Sequence, residues 1–425
     1  MRVLLISSNT ESLTMPVHPG GMHLVADAAE RSGHRVRRLD LFGVKGMRSA
    51  LAAAVAEHEP EVIGLTVRNI DDQCMQDPQF LLEGDRRVVR WLRELTQAPI
   101  VLGGAGYSIY PDSVLEYLEA DMGLAGEGEA SFPKLLGALE QGERPNGIEG
   151  LHVRGRGEAA PRSIIRNLDA CPLPRPDTLS PALTHRRDFL MPYQTRRGCP
   201  FDCSYCSTGS IEGRRIRKRS ADRVVQNLKS FEQAGIRRFF FVDNTFNLPS
   251  SYAAELCRGM IAAELDIEWF AIVYPANLSM ELVRLMARAG CKQVSLGFES
   301  GSPPVLSALN KKFSKEDVRQ ASELFAKAGI ERMGFLLLGG PGETRDTVTE
   351  SLGFAEGLGL DGLKLTVGIR IYPGTILAEQ AVQAGLVNPG DTLLEPRFYL
   401  EPGLSPWLEE YIEAWSAERP HLVVP

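Results

Sequence analysis

The sequence predicts an α/β protein in two parts, a doubly wound, Rossmann-like domain followed by a partial (β/α)6 barrel of the TIM type. Three observations carry that prediction. Two series of short β-rich runs alternate with amphipathic stretches, the pattern of parallel strands joined by helices. Between them Pro172-Leu173-Pro174-Arg175-Pro176 places three prolines in five positions, which no regular helix or central strand accepts. The chain has 425 residues, 44% of them apolar, enough to fill more than one core.

In the first 145 residues the expected strands are Arg2–Ser7, Arg35–Leu39, Val62–Val67, Pro99–Gly103 and Met122–Ala125. Helices are expected between them, including Met22–Ser32, Asp85–Thr96 and Pro111–Leu118. After four of the strands the chain turns polar or glycine-rich: Ser8-Asn9-Thr10, Arg68-Asn69-Ile70-Asp71, Gly103-Gly104-Ala105-Gly106 and Gly126-Glu127-Gly128-Glu129. Ligands of open parallel sheets sit at the carboxyl ends of the strands, so these loops are expected to converge on one crevice. Residues 146–190 read as a small β-extension and a linker. The barrel is expected over residues 191–375, with strands Arg237–Val242, Glu268–Val273, Gln293–Phe298, Arg332–Leu338 and Gly362–Arg370. Helices Ala221–Ala234, Ser279–Ala289 and Lys315–Ala328 fall between them, and residues 376–425 form a C-terminal extension without a readable motif.

Lys+Arg 47 against Asp+Glu 54 leaves a net charge of -7, which argues against nucleic acid or a membrane surface as the partner. No run approaches the ~18 apolar residues of a membrane span, and the N-terminus shows no export signal, so a cytoplasmic location is expected. The seven cysteines are odd in number and three crowd together, which is not the spacing of a disulfide framework.

Those three stand in Arg197-Gly198-Cys199-Pro200-Phe201-Asp202-Cys203-Ser204-Tyr205-Cys206. Structural zinc takes four closed ligands, and no fourth Cys or His pair lies near. Iron–sulfur clusters are held by thiolates, usually four; three on a four-iron cluster leave one iron open to bind a small molecule. Cysteines at this spacing, with an aromatic just before the last, resemble the signature of the radical S-adenosylmethionine superfamily. The resemblance implies that Cys199, Cys203 and Cys206 hold a 4Fe-4S cluster whose open iron chelates S-adenosylmethionine, and that Tyr205 packs by the adenine. Val294-Ser295-Leu296-Gly297-Phe298-Glu299-Ser300-Gly301 resembles the family's fourth barrel strand, which implies that Glu299 and Ser300 reach the ribose. Phe335 to Thr344 resembles the fifth, which implies that the backbone around Leu338 meets the adenine; there Leu336 replaces a glycine, so Glu343 reads as a structural cap. Asp243 stands where relatives use Gly-Gly-Glu to hold the methionine amino group, the rival reading being a helix cap.

In the first domain no G-x-G-x-x-G follows the first strand and no P-loop is present. Gly64 to Asp71, Leu102 to Ser108 and Ala125 to Glu129 resemble the cobalamin-binding class of the same superfamily, and with the barrel motifs the resemblance covers about residues 1–380. It implies cobalamin at Ser8, Asn9, Thr66, Arg68, Asn69, Gly103, Gly104, Gly106, Tyr107, Gly126 and Glu127. Small residues at Gly103, Gly104 and Gly106 let a backbone approach the corrin, or serve a tight turn alone. The D-x-H-x-x-G that brings a histidine to cobalt is absent around His18 and His23, so cobalamin is expected without a protein histidine.

The family implies a cobalamin-dependent methyltransferase that moves the methyl group of S-adenosylmethionine, through methylcobalamin, to an unactivated carbon. Short members resemble those that modify a peptide or protein residue, such as the glutamine C-methyltransferase of methyl-coenzyme M reductase. An electron donor of flavodoxin or ferredoxin type and a substrate, small molecule or peptide, are the expected partners. The alternatives are cobalamin-assisted rearrangement or ring closure without methyl transfer, and a noncatalytic cobalamin or redox sensor.

Overall fold

The structure is a computed structural model that describes residues 1–11, 17–156, 160–184 and 186–424. It divides into two compact units, the first comprising residues 1–72, 79–189 and 210–213, the second residues 73–78, 190–209 and 214–425.

The first unit is built on six strands: β1 (Arg2–Ser7), β2 (Arg35–Asp40), β3 (Val62–Thr66), β4 (Ile100–Gly103), β5 (Met122–Leu124) and β6 (Leu151–Val153), in the order β2-β1-β3-β4-β5-β6. All pair in parallel except β6, which runs antiparallel to β5. The expected β-extension is thus the edge strand of this sheet. A parallel strand covered on both faces reads as a continuous apolar run, and Val3, Leu4, Leu5 and Ile6 are all buried in β1. Helix α1 (Gly20–Arg31) and the helix Gly128–Glu140 pack together on the sheet, with Leu5, Ala26, Phe132 and Leu135 in one core. The chain order reverses between β1 and β3, the position where such sheets open a crevice at their carboxyl edge.

In the second unit β7 (Met191–Tyr193), β8 (Arg238–Phe241), β9 (Glu268–Val273), β10 (Cys291–Glu299), β11 (Glu331–Leu338) and β12 (Gly362–Val367) form a wall in strict chain order, all in parallel. This is the expected six-strand barrel wall. Side chains alternate across it with period two. Trp269, Ala271, Val273, Val294, Leu296, Phe298, Leu336 and Leu338 are buried, while Ser295, Gly297, Glu299, Phe335 and Leu337 on the other side are only partly so. The C-terminal extension closes onto this wall: Phe398–Tyr399 pairs with Ile369–Arg370, and the main chain at Leu422 and Val424 bonds Leu363 of β12.

Candidate cofactor-binding sites

The cysteine loop leaves β7 through Arg196–Arg197, which pair with Arg217–Lys218. Gly198 then turns the chain at φ 91°, a conformation that favours glycine. Cys199 and Cys203 are half-buried and Cys206 is exposed, and none of the three is in a disulfide. Among the described residues no three His, Cys, Asp or Glu side chains converge on a single ion. Three cysteine thiols on one loop are donors whose chemistry fits an iron–sulfur cluster.

The loop is gripped from three sides. Ser204 N donates to Leu309 O at 3.0 Å, Leu377 N donates to Ser204 O at 2.8 Å, and Asn310 Nδ2 donates to Asp202 O at 2.9 Å. Tyr205 donates its hydroxyl to Glu299 Oε1 at 3.0 Å, and Lys311 Nζ donates to the Tyr205 oxygen at 2.9 Å and to Glu299 Oε1 at 3.3 Å. Burial pushes the Cys203 thiol up from its ordinary value, and the Lys311 charge acts in the opposite direction. Glu299 ends β10 at φ 65°, where the pairing with β11 also shifts register. A non-glycine residue held there is a strained position of the kind that clusters at functional sites. Phe201 stacks on Tyr274 at 4.1 Å, so the outer flank of the loop is aromatic.

Two side chains expected to meet S-adenosylmethionine have other partners. Asp243 is fully buried, and its carboxylate accepts from Thr195 N at 2.7 Å, Thr195 Oγ1 at 2.6 Å and Arg196 N at 3.0 Å while pairing with Arg196 Nε at 3.2 Å. Those donors occupy it, so it anchors the strand entering the cysteine loop instead of receiving an amino group. Ser300 is fully buried and shares a 2.9 Å hydrogen bond with Ser351, on the helix-facing side of the wall. The Leu338 side chain is on that side too, and its carbonyl accepts from Gly368 N at 2.8 Å, while the expectation there concerned the backbone around it. Glu343 is the cap read from sequence: it accepts from Gly339 N and, at 3.1 Å, from Gly340 N, and burial pushes its carboxyl up to about 7.

In the first unit the loops converge as expected at the carboxyl edge. Ser8 Oγ donates to Thr66 O at 3.2 Å, Val67 N to Gly103 O at 2.8 Å, and Gly106 N to Arg68 O at 3.0 Å. Asn9 and Asn69 are half-buried and Arg68 is exposed beside them. The glycines divide into two kinds. A Cβ on Gly103 would meet nothing within 4 Å, which leaves open space for a ligand, whereas one on Gly104 would fall 2.4 Å from Val67 O and one on Gly106 3.0 Å from Arg68 O. Gly104 and Gly106 are therefore taken up by loop-on-loop packing. Gly126 serves likewise, a Cβ there lying 2.4 Å from Ser163 O, and Glu127 is buried and accepts from Ile165 N at 2.5 Å. Tyr107 is fully buried against Gly123, so its ring belongs to the core and not to the crevice. A residue that sequence reading passed over, Asp85, lies buried beside Ser8, and burial pushes its carboxyl up to about 7. Lys311 and Asn310 were also passed over; in a single sequence they are two polar residues after a helix.

Two family models match these two units: the B12 binding domain over residues 7–136 and the Radical SAM superfamily over residues 193–355. The chain carries a Radical SAM domain and a B12-binding domain, and its homologues are cobalamin-dependent radical S-adenosylmethionine methyltransferases. It is 29% identical to an uncharacterised methyltransferase of Pyrococcus horikoshii over 91% of this chain and 84% of that protein. It is 24% identical to tryptophan 2-C-methyltransferase of Streptomyces laurentii over 88% of this chain and 74% of that protein. Among solved structures, that of the radical S-adenosylmethionine methyltransferase TsrM of Kitasatospora setae, with tryptophan and a S-adenosylmethionine analogue bound, superposes with TM-score 0.86 at 25% identity. That match covers 100% of this chain and 91% of that one. No helix among the described residues is long and apolar enough to cross a membrane.

Proposed function

We propose that the protein is a C-methyltransferase acting on an amino acid carbon, free or within a peptide. The observation that carries this reading is the less buried side of the barrel wall at the cysteine loop, where Tyr205, Glu299 and Lys311 are bonded into one polar group on the loop that carries the three cysteines. The cluster with S-adenosylmethionine supplies redox and radical chemistry, and cobalamin supplies a methyl carrier. The chain's own part is to hold these groups still. Asp243 and Arg196 fix the strand that enters the cysteine loop, Leu309 and Leu377 fix its middle, and Glu299 with Lys311 fixes the ring of Tyr205. On the first unit, Ser8, Thr66, Arg68, Asn69 and the open space at Gly103 offer polar groups and room for a corrin.

The amino acid class is supported by the names of two relatives, one a tryptophan 2-C-methyltransferase and one solved with tryptophan bound. Glutamine in a peptide is the other substrate the sequence raises. Exposed Arg214, Arg215 and Lys312 around the cysteine loop suit an acidic electron donor of the flavodoxin or ferredoxin type. The test is anaerobic incubation of the reconstituted protein with methyl-labelled S-adenosylmethionine, reductant, and either tryptophan, tryptophan-containing or glutamine-containing peptides. A labelled, carbon-methylated product is expected. A rearranged or cyclised product without label overturns methyl transfer, and no cleavage or consumption of S-adenosylmethionine under any condition favours the sensor reading.

A further inference from the structure

Three consecutive residues after the helix Pro303–Ala308 each hold the cysteine loop. Leu309 O accepts from Ser204 N, Asn310 Nδ2 donates to Asp202 O, and Lys311 Nζ donates to the Tyr205 oxygen. Asn310 stands at φ 56° and Lys311 N donates to Leu306 O at 2.9 Å, so the turn that delivers the lysine is fixed by its own backbone. The Lys311 side chain is 7% exposed. Its ammonium also reaches Glu299 Oε1 at 3.3 Å and Gly297 O at 3.4 Å, and lies 5.3 Å from the centre of the Tyr205 ring and 5.7 Å from that of Phe313. The carboxylate that pairs with it, Glu299, is shared with the Tyr205 hydroxyl. Burying an ammonium is costly, and a neutral donor would serve the Tyr205 oxygen as well. What a neutral donor lacks is the fixed positive charge.

We propose that Lys311, beyond fixing Tyr205, is a positioning residue that raises the reduction potential of the iron–sulfur cluster held by Cys199, Cys203 and Cys206. The potentials of such clusters follow their net charge, the hydrogen bonds to their sulfurs and their exposure. Reduction adds one negative charge to a centre already bound by thiolates, so a cation held nearby favours the reduced form. A charge in buried surroundings acts more strongly, and is screened less by salt, than one at the surface. Cys203 reports the sign of the field in the loop. Burial pushes its thiol up, and against that Lys311 favours the thiolate more than either Cys206 or Glu299 disfavours it. Arg214, Arg215 and Lys312 are exposed, where water and salt weaken their effect. The step affected is a one-electron transfer: the low-potential donor loses one electron, the cluster gains it, and no bond forms or breaks. The inference rests on the cluster and not on the identity of the methyl acceptor.

The test is redox titration of the full-length protein after anaerobic reconstitution, without S-adenosylmethionine, read by electron paramagnetic resonance of the reduced cluster. Iron content is measured in each sample. Lys311→Met keeps the length of the side chain and removes its charge. In that variant the ratio of reduced to oxidised cluster at the wild-type midpoint is expected to fall about tenfold, a shift of about 59 mV to more negative potential. Lys311→Arg, which keeps the charge, is expected to restore the wild-type midpoint. Glu299→Gln, which removes the opposing charge, is expected to move it to more positive potential. A merely structural lysine would change iron content without this reversal of sign. A midpoint in Lys311→Met that is unchanged or more positive, at full iron content, overturns the proposal. Where Lys311→Met does not hold iron, Glu299→Gln decides, and a midpoint there that is unchanged or more negative overturns it. A wild-type protein that takes up no iron overturns the cluster assignment itself, and this inference with it.

Discussion

In the B12-binding unit the loops at the sheet edge meet through side chains that are missing, whereas in the radical S-adenosylmethionine unit the cysteine loop is fixed by side chains that are buried. Gly104, Gly106 and Gly126 let one backbone pass within contact of another, and a methyl group at any of them would collide with a carbonyl or its peptide. At the cysteine loop the same task falls to Asp243 against Arg196, Asn310 against Asp202 and Lys311 against Tyr205. The difference follows from what each site must present. A large, flat cofactor needs a low, smooth platform, and a polynuclear cluster needs thiols projected from a loop that has no regular hydrogen bonds of its own. The first is specified by backbone shape, the second by buried charge and hydrogen bonds.

The largest effect expected from this contrast is in the cysteine loop itself. Replacing Cys199, Cys203 and Cys206 together by Ala should take bound iron from about four per chain to none, measured after anaerobic reconstitution. Cobalamin binding should survive in the same variant, since the two units have separate cores; its loss from a folded protein would refute their independence.

Next comes the anchor of that loop. Asp243→Ala leaves the Arg196 guanidinium, 2% exposed, without its carboxylate. Uncompensated buried charge of this kind costs ~3–5 kcal/mol, so chemical denaturation should show a destabilised second unit with poor iron loading and a first unit that still binds cobalamin. Full iron loading at wild-type stability would show that the cysteine loop holds itself.

The glycines offer a smaller but sharper comparison. Gly104→Ala places a Cβ 2.4 Å from Val67 O at φ 104°, and overpacking of this kind costs ~1–3 kcal/mol. Gly103→Ala, with nothing within 4 Å, should leave stability nearly unchanged and weaken cobalamin binding instead. If both variants lose stability equally, Gly103 is a packing residue and does not face the cofactor.

The smallest effect is a dependence on pH, to which a buried carboxyl in each unit, Asp85 and Glu343, contributes. Burial raises Asp85 from 3.8 to about 7 and Glu343 from 4.5 to about 7. Both therefore keep a proton in the folded protein that the unfolded chain has released. Their contribution is most favourable below about pH 4 and is lost as pH rises towards about 7, against the opposite contribution of His18 and His23, which burial holds neutral over the same window. Relative to the wild type, denaturation midpoints of Asp85→Asn and Glu343→Gln should each gain ground as pH rises across that window; a pH dependence unchanged from wild type in both variants would show that neither carboxyl contributes.

Much of the architecture was legible because parallel strands announce themselves as apolar runs closed by polar or glycine loops. Arg2–Ser7 and Glu268–Val273 have the ends expected for them and most others differ by a residue or two, but the strand expected over Gly362–Arg370 ends at Val367, and Ile369–Arg370 pairs apart from it. The C-terminal extension was not legible: Phe398–Tyr399 is too short to carry a period, and its pairing with Ile369–Arg370 is a contact distant in sequence. At the sites, spacing alone exposed the three cysteines. It misplaced Ser300 because the shift in β10 and the two-residue alternation decide which side of the wall a residue faces, and a one-residue step exchanges the sides.

The sequence by itself determined the order of the elements, the parallel sheets, the cysteine signature and the family, since each lives in local pattern and spacing. Only the tertiary structure decided which glycine leaves open space, that Asp243 is occupied by Thr195 and Arg196, and that Lys311 joins Tyr205 and Glu299. These are properties of atoms brought together from distant positions. Hydrogen-bond saturation and burial depend on what arrives from elsewhere in the chain, and no residue type carries that information at its own position.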